Sequence, residues 1–149
     1  LDLGFYQDLQ DKLGAKGMYS FAYVIAHEVG HHVQNELGIL DQVNQIKSRS
    51  SQAEANRWSV ATELQADYLA GVVSKKLEES GYLDVGDIES AISATEAIGD
   101  DVLQTRAQGY AVPDSFTHGT SDQRTEWFLK GYEAGDLSQG DTFTALGLQ

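Results

Sequence analysis

The sequence predicts a mainly α-helical protein, and three observations carry the prediction. Capping patterns recur along the chain: "SQAE" at Ser51–Glu54, Asp84 or Asp87 as a cap, and "TSDQ" at Thr120–Gln123. Such patterns satisfy backbone N–H groups that a helix start leaves without partners. Glycines follow the periodic segments as stops, at Gly38, Gly81 and Gly135, where the residue enters the left-handed conformation at no steric cost. Strand character is confined to the opening "LDLGF", at most a short N-terminal strand remnant.

The elements follow in order. "FYQDLQDKL" reads as a brief helix stopped by Gly14 and Gly17. A second helix begins near Tyr19 or Ser20, with the serine as cap candidate, and ends at Gly38. Its residues Ala22, Ile25, Ala26, Val29, Val33 and Leu37 form an apolar stripe, the face expected to enter the core. Ile39 to Ser50 is polar and fits no single element type. From Ser51 a long helix runs through about Glu79 and is ended by Gly81. Asp84 or Asp87 caps a helix running to around Gln108. The loop "GYAVPDSFTHG" then holds the only proline, and a last helix runs from Thr120 to Gly135. With 149 residues, no internal repeat and no linker, one domain spanning 1–149 is expected.

Composition narrows the function. Ten basic residues against 23 acidic ones give a net charge of −13, which argues against nucleic acid or anionic lipid as partner, since both need clustered cations. There is no cysteine, so any metal must be held by nitrogen and oxygen. The apolar run Phe21–Ala26 is far short of the roughly 20 residues that span a bilayer, and no membrane contact is expected from this stretch of chain. The chain opens on Leu1 without a signal pattern, which reads as a piece of a longer precursor.

Three of the four histidines crowd into "HEVGHH". His27, Glu28 and His31 form H-E-x-x-H, and on a helix the two histidines stand about 40° apart and one turn along, so both imidazoles can reach one ion. Glu28 lies about 100° from His27 and about 60° from His31, beside the ion rather than on it, where a general base belongs. His32 is turned about 100° beyond His31 and is expected to make only a local hydrogen bond.

A third ligand is available on the long helix. In "ELQAD", Glu63 and Asp67 are four residues apart on one face; Glu63 can complete the ligand set, leaving Asp67 to orient a ligating histidine. Ala66, Ala70 and Gly71 nearby would let two helices approach closely. Two histidines with a glutamate are a known catalytic zinc set, so Zn²⁺ is the expected cofactor.

These residues carry a resemblance. "AYVIAHEVGHHVQN", "ELQADYLAG", "GDIESAISATEAIGDD" and "PDSFTHGTSDQRTEWFLKGYEAGD" together resemble the putative neutral zinc metallopeptidase family, over nearly the whole chain. More broadly the chain looks like a zincin of the gluzincin type. The resemblance implies a zincin-like catalytic domain, zinc on His27, His31 and Glu63, Glu28 as base and Asp67 behind a histidine. It also implies an extracytoplasmic domain from a membrane-anchored precursor, acting on peptide or protein substrates.

The expected reaction is peptide hydrolysis, with Glu28 taking a proton from a metal-activated water and returning it to the leaving amine. The developing oxyanion needs a further donor. His118 in "SFTHGTS" can supply it, with Tyr110 as competitor; equally, His118 can be a loop residue helping to cap the last helix. Arg124 either anchors a carboxylate or pairs with neighbours of Glu28, and the second is favoured. Two alternatives stand beside the enzyme. One is an inactive zincin serving as a binding or regulatory module; the other is a structural zinc domain with His118 or His32 as fourth ligand.

Overall fold

The structure is a computed structural model, and it describes residues 18–148. The expected strand remnant at Leu1–Phe5 and the brief helix after it lie outside the described residues. Among those described, seven α-helices and one 3-10 turn are present and no strand, as the mainly α expectation requires. They are α1 (Met18–Glu36), α2 (Ile39–Lys47), α3 (Gln52–Glu79), α4 (Val85–Ala97), α5 (Asp100–Gln108), α6 (Ser121–Ala134) and α7 (Thr142–Ala145). The 3-10 turn, Pro113–Ser115, precedes α6. None of these helices is long and apolar enough to cross a membrane.

The caps read from sequence are present. Ser51 with Glu54, Asp84 with Asp87, and Thr120 with Gln123 each form a reciprocal capping box opening α3, α4 and α6. Ser20 instead lies inside α1, which begins at Met18. The ambiguous stretch after Gly38 is helical over α2, with only Val43 buried. The helix expected to run on to Gln108 is broken at Gly99, whose extended backbone (φ −65°, ψ 145°) separates α4 from α5. Packing explains the break: a Cβ at Gly99 would lie 2.2 Å from the backbone nitrogen of Ser121.

The central element is α3, packed most extensively against α6 and then α1. Its close contacts rest on absent side chains. A Cβ at Gly71 would come 2.0 Å from the Phe128 carbonyl oxygen, and one at Gly131 2.0 Å from that of Tyr68. On the other side, a Cβ at Gly30 would sit 3.0 Å from the Ala66 carbonyl. Two apolar clusters flank the crossing. One joins Tyr23, Val24, Ala26, Ala70, Ile88 and Phe128; the other joins Val60, Leu64, Tyr68, Phe116 and Trp127.

The face of α1 that enters the interior differs from the expected one. Of the apolar stripe, Ala26 is buried and Ala22 and Val33 are half-buried, but Ile25, Val29 and Leu37 are 41%, 45% and 63% exposed, and the rest of the buried row is Tyr23, His27, Gly30 and Gln34. Counting apolar residues turned the buried face too far toward Ile25 and Val29 because the polar members of the buried row all find partners inside, which removes the usual cost of burying them.

Candidate metal centre

The row Tyr23–His27–Gly30–Gln34 brings the histidines of α1 against the Glu63–Asp67 face of α3. One ligand atom each from His27, His31 and Glu63 lies within 4.8 Å of the others. Nε2 of His27 is 3.1 Å from one Glu63 oxygen, and Nε2 of His31 is 3.4 Å from the other. Both imidazoles therefore present Nε2 to a common point, with Glu63 bridging them.

Each ring is held from behind at Nδ1. That of His27 faces Asp67 Oδ1 at 2.7 Å, and that of His31 faces Gln34 Oε1 at 2.8 Å. An acceptor at Nδ1 fixes the proton there and leaves Nε2 with its lone pair, the form that binds a metal. Gln34 is fully buried and itself fixed, donating to the Thr62 carbonyl and Gln65.

Asp67 has no exposed surface, and its charge is met by Arg124, 3% exposed, on α6. The guanidinium donates from Nε to Oδ2 at 2.9 Å and from Nη2 to Oδ1 at 3.1 Å. The Tyr23 hydroxyl donates to Oδ1 at 2.5 Å. Arg124 thus anchors a carboxylate; pairing with neighbours of Glu28, favoured on sequence, is not what the structure has. Buried arginine keeps its charge where it can form such a fork.

The electrostatics of the chain without metal express this crowding. Burial pushes His27 down, but its bonds to Asp67 and Glu63 outweigh that and raise it to about 9. Burial likewise opposes the charge on His31, and Glu63 holds it above its usual value. Glu63 is pushed up by burial yet held well below the carboxylate range by His27 and His31. Asp67 follows the same pattern, lowered by Arg124 first and then His27. Raised histidines beside lowered carboxylates mark a cluster that favours added positive charge, as a cation site does.

A cleft of about 350 Å³ opens over these residues, lined by Tyr23, His27, Glu28, His31, Glu63 and His118 among others. Glu28 is exposed on its wall. His118 belongs to the same wall, with its Nδ1 3.1 Å from Asp100. Tyr110 is 63% exposed and does not line the cleft, and His32 is exposed and outside the three-residue cluster.

Sequence reasoning brought His27, Glu28, His31, Glu63 and Asp67 forward by spacing, and the fold places them together. It missed Gln34, Tyr23 and Asp100. The first two had a signal, standing three residues after His31 and four before His27 on the same helix face.

A two-histidine, one-glutamate donor set with both rings oriented from behind has the chemistry of a zinc centre, and the residues present fit that ion. The class so defined is a helical zinc protein with a cleft over its metal residues. The family model described as putative neutral zinc metallopeptidase matches residues 1–143, and the chain belongs to that family, whose cofactor is zinc. It is 55% identical over 143 residues to the uncharacterized protein YpfJ of Escherichia coli (strain K12), covering 96% of this chain and 50% of that protein. It is 41% identical over 158 residues to the uncharacterized protein Mb2605 of Mycobacterium bovis, covering 99% of this chain and 52% of that one. The chain thus spans about half the length of these curated relatives. No solved structure matches it.

Proposed function

We propose that the protein is a zinc-dependent peptidase that hydrolyses peptide bonds of peptide or protein substrates, with His27, His31 and Glu63 as ligands and Glu28 as general base. The observation that carries the reading is Glu28, an exposed carboxylate on the wall of the cleft that the three ligand side chains also line. A structural site would close its sphere with four protein groups. Among the described residues the ligand cluster has three members, and His118 is engaged with Asp100 instead.

Zinc held there supplies a Lewis acid that polarises water and a substrate carbonyl. Glu28 accepts the proton as the water oxygen attacks the carbonyl carbon, and delivers it to the amide nitrogen as the C–N bond breaks. Asp67 and Gln34 keep the rings of His27 and His31 in the ligating tautomer. His118, on the wall of the cleft, donates to the oxygen on which negative charge develops. Tyr110 does not line the cleft and is not assigned that role. An extracytoplasmic, membrane-anchored setting for the whole protein is part of the same proposal, and rests on the family resemblance alone.

The test is zinc content by mass spectrometry on the full-length protein, with peptide cleavage measured before and after Glu28→Gln. The variant is expected to retain zinc and to lose roughly 10²- to 10⁴-fold in turnover, the usual range for removing a positioned base. Cleavage by the variant at the parental rate would sink the mechanism.

A further inference from the structure

The loop that carries His118 is fastened by a single carboxylate. Asp100, first residue of α5 and 8% exposed, receives at Oδ2 the backbone N–H groups of Thr117 (2.7 Å), His118 (2.7 Å) and Gly119 (3.2 Å). Its own N–H donates to the Gly119 carbonyl at 2.9 Å. Holding the loop uses one carboxylate oxygen. The other, Oδ1, lies 3.1 Å from Nδ1 of His118.

We propose that Asp100 is a positioning residue: it sets the loop 117–119 and fixes the Nδ1 proton of His118, so that Nε2 is the ring nitrogen presented to the cleft. The inference rests on the peptidase reading for its chemical meaning, and on the hydrogen-bond geometry for its substance.

Two groups compete for Nδ1, since the Thr117 hydroxyl is also 3.1 Å away. A hydroxyl can donate to a bare nitrogen, which would put the proton on Nε2. A carboxylate can only accept, so with Asp100 at Nδ1 the proton belongs on Nδ1. Bonds to an ionised acceptor are also about twice as strong as neutral ones. The carboxylate therefore decides the tautomer. The neutral ring so fixed presents a bare Nε2 that can only accept, so the form that serves an oxyanion is the doubly protonated ring, in which Nδ1–H stays with Asp100 and Nε2–H is the donor.

The next residue ties this end of α5 to α6. Asp101 Oδ1 accepts from the backbone N–H of Ser121 at 2.8 Å and from its hydroxyl at 3.1 Å, tying α5 to the first turn of α6. That approach is possible only because residue 99 is glycine. The ring of His118 is thus referred to α6, the helix that also carries Arg124 behind the metal residues.

The experiment is a double-mutant cycle on the zinc-loaded full-length protein with a fluorogenic peptide, comparing Asp100→Asn, His118→Ala and the pair. Each single change is expected to lower kcat by about 100-fold, as removal of one oxyanion donor does, with KM and zinc content little altered. The pair should be no slower than His118→Ala alone, because Asp100 acts through His118. If Asp100→Asn slows the His118→Ala protein by the same factor again, Asp100 serves the loop only and the inference is wrong. Long-range ¹H–¹⁵N spectra of the unsubstituted protein give an independent decision that does not need turnover or a foldable variant. A proton on His118 Nδ1 supports the pairing; a neutral ring protonated only at Nε2 overturns it. Failure of the parent to cleave any peptide would count against the peptidase reading, and the spectrum would still decide the role of Asp100.

Discussion

Replacing Arg124 by methionine tests whether the metal residues depend on a cation supplied by α6. The methionine retains much of the apolar stem, so the main loss is the guanidinium fork at 2.9 and 3.1 Å to Asp67, a carboxylate with no exposed surface. Breaking a buried pair from one side costs about 3–5 kcal/mol because the remaining charge is left uncompensated. Near neutral pH the lower figure is expected, since His27, raised to about 9, still offers Asp67 a positive partner. A loss of about 3 kcal/mol is a large part of the 5–15 kcal/mol that holds a typical domain. Guanidinium unfolding in EDTA, followed by circular dichroism, measures it. Asp67→Asn should also destabilise, and the double variant should cost less than the sum of the two by about 2 kcal/mol, as for residues in direct contact. Arg124→Lys, which keeps the charge but not the fork, should fall between parent and methionine. Additive losses, or a loss under about 1 kcal/mol for the methionine variant, would refute the reasoning.

Three further outcomes follow from the same geometry. His27 is raised from 6.5 to about 9, so in the zinc-free chain its interactions stabilise the fold fully below about pH 6.5 and that contribution disappears as pH rises through about 9. The lowered carboxylates Glu63 and Asp67 act in the opposite sense, their contribution being lost as pH falls below their usual values of 4.5 and 3.8. With His27 raised to about 9, calorimetric zinc titration at pH 7 in buffers of different ionisation heat should report proton release, and its absence would count against a protonated His27 in the zinc-free chain. Separately, Gly71→Ala forces a methyl to within 2.0 Å of the Phe128 carbonyl. The substitution should destabilise by at least the 1–3 kcal/mol typical of overpacking and should weaken zinc binding too, because α6 cannot shift without moving Arg124; zinc competition with a chromogenic chelator checks this.

What could be read from the sequence was what short-range geometry controls. Capping boxes act over three residues: those at Ser51 and Thr120 were found where the letters put them, and of Asp84 and Asp87 the first proved to be the cap with the second as its partner. The i, i+4 spacings of His27 with His31 and Glu63 with Asp67 are fixed by the helix itself. What was not legible depended on how helices cross. Arg124 reaches Asp67 because Gly71 and Gly131 let α3 and α6 nearly touch, and no local pattern announces a partner 57 residues away. The break at Gly99 was missed for the same reason, since only the approach of Ser121 explains it. The buried face of α1 was misjudged because a row of Tyr, His and Gln looks like surface until its partners are known.

The late position of Arg124 bears on the order in which the protein can mature. The motif residues of α1 and α3 are complete by residue 67, and a nascent or truncated chain ending before α6 would display the whole H-E-x-x-H and E-x-x-x-D signature. Such a chain would still hold a carboxylate at the heart of the site with no guanidinium to meet it. The counter-charge to Asp67 therefore arrives only with α6, more than 50 residues after the signature is complete.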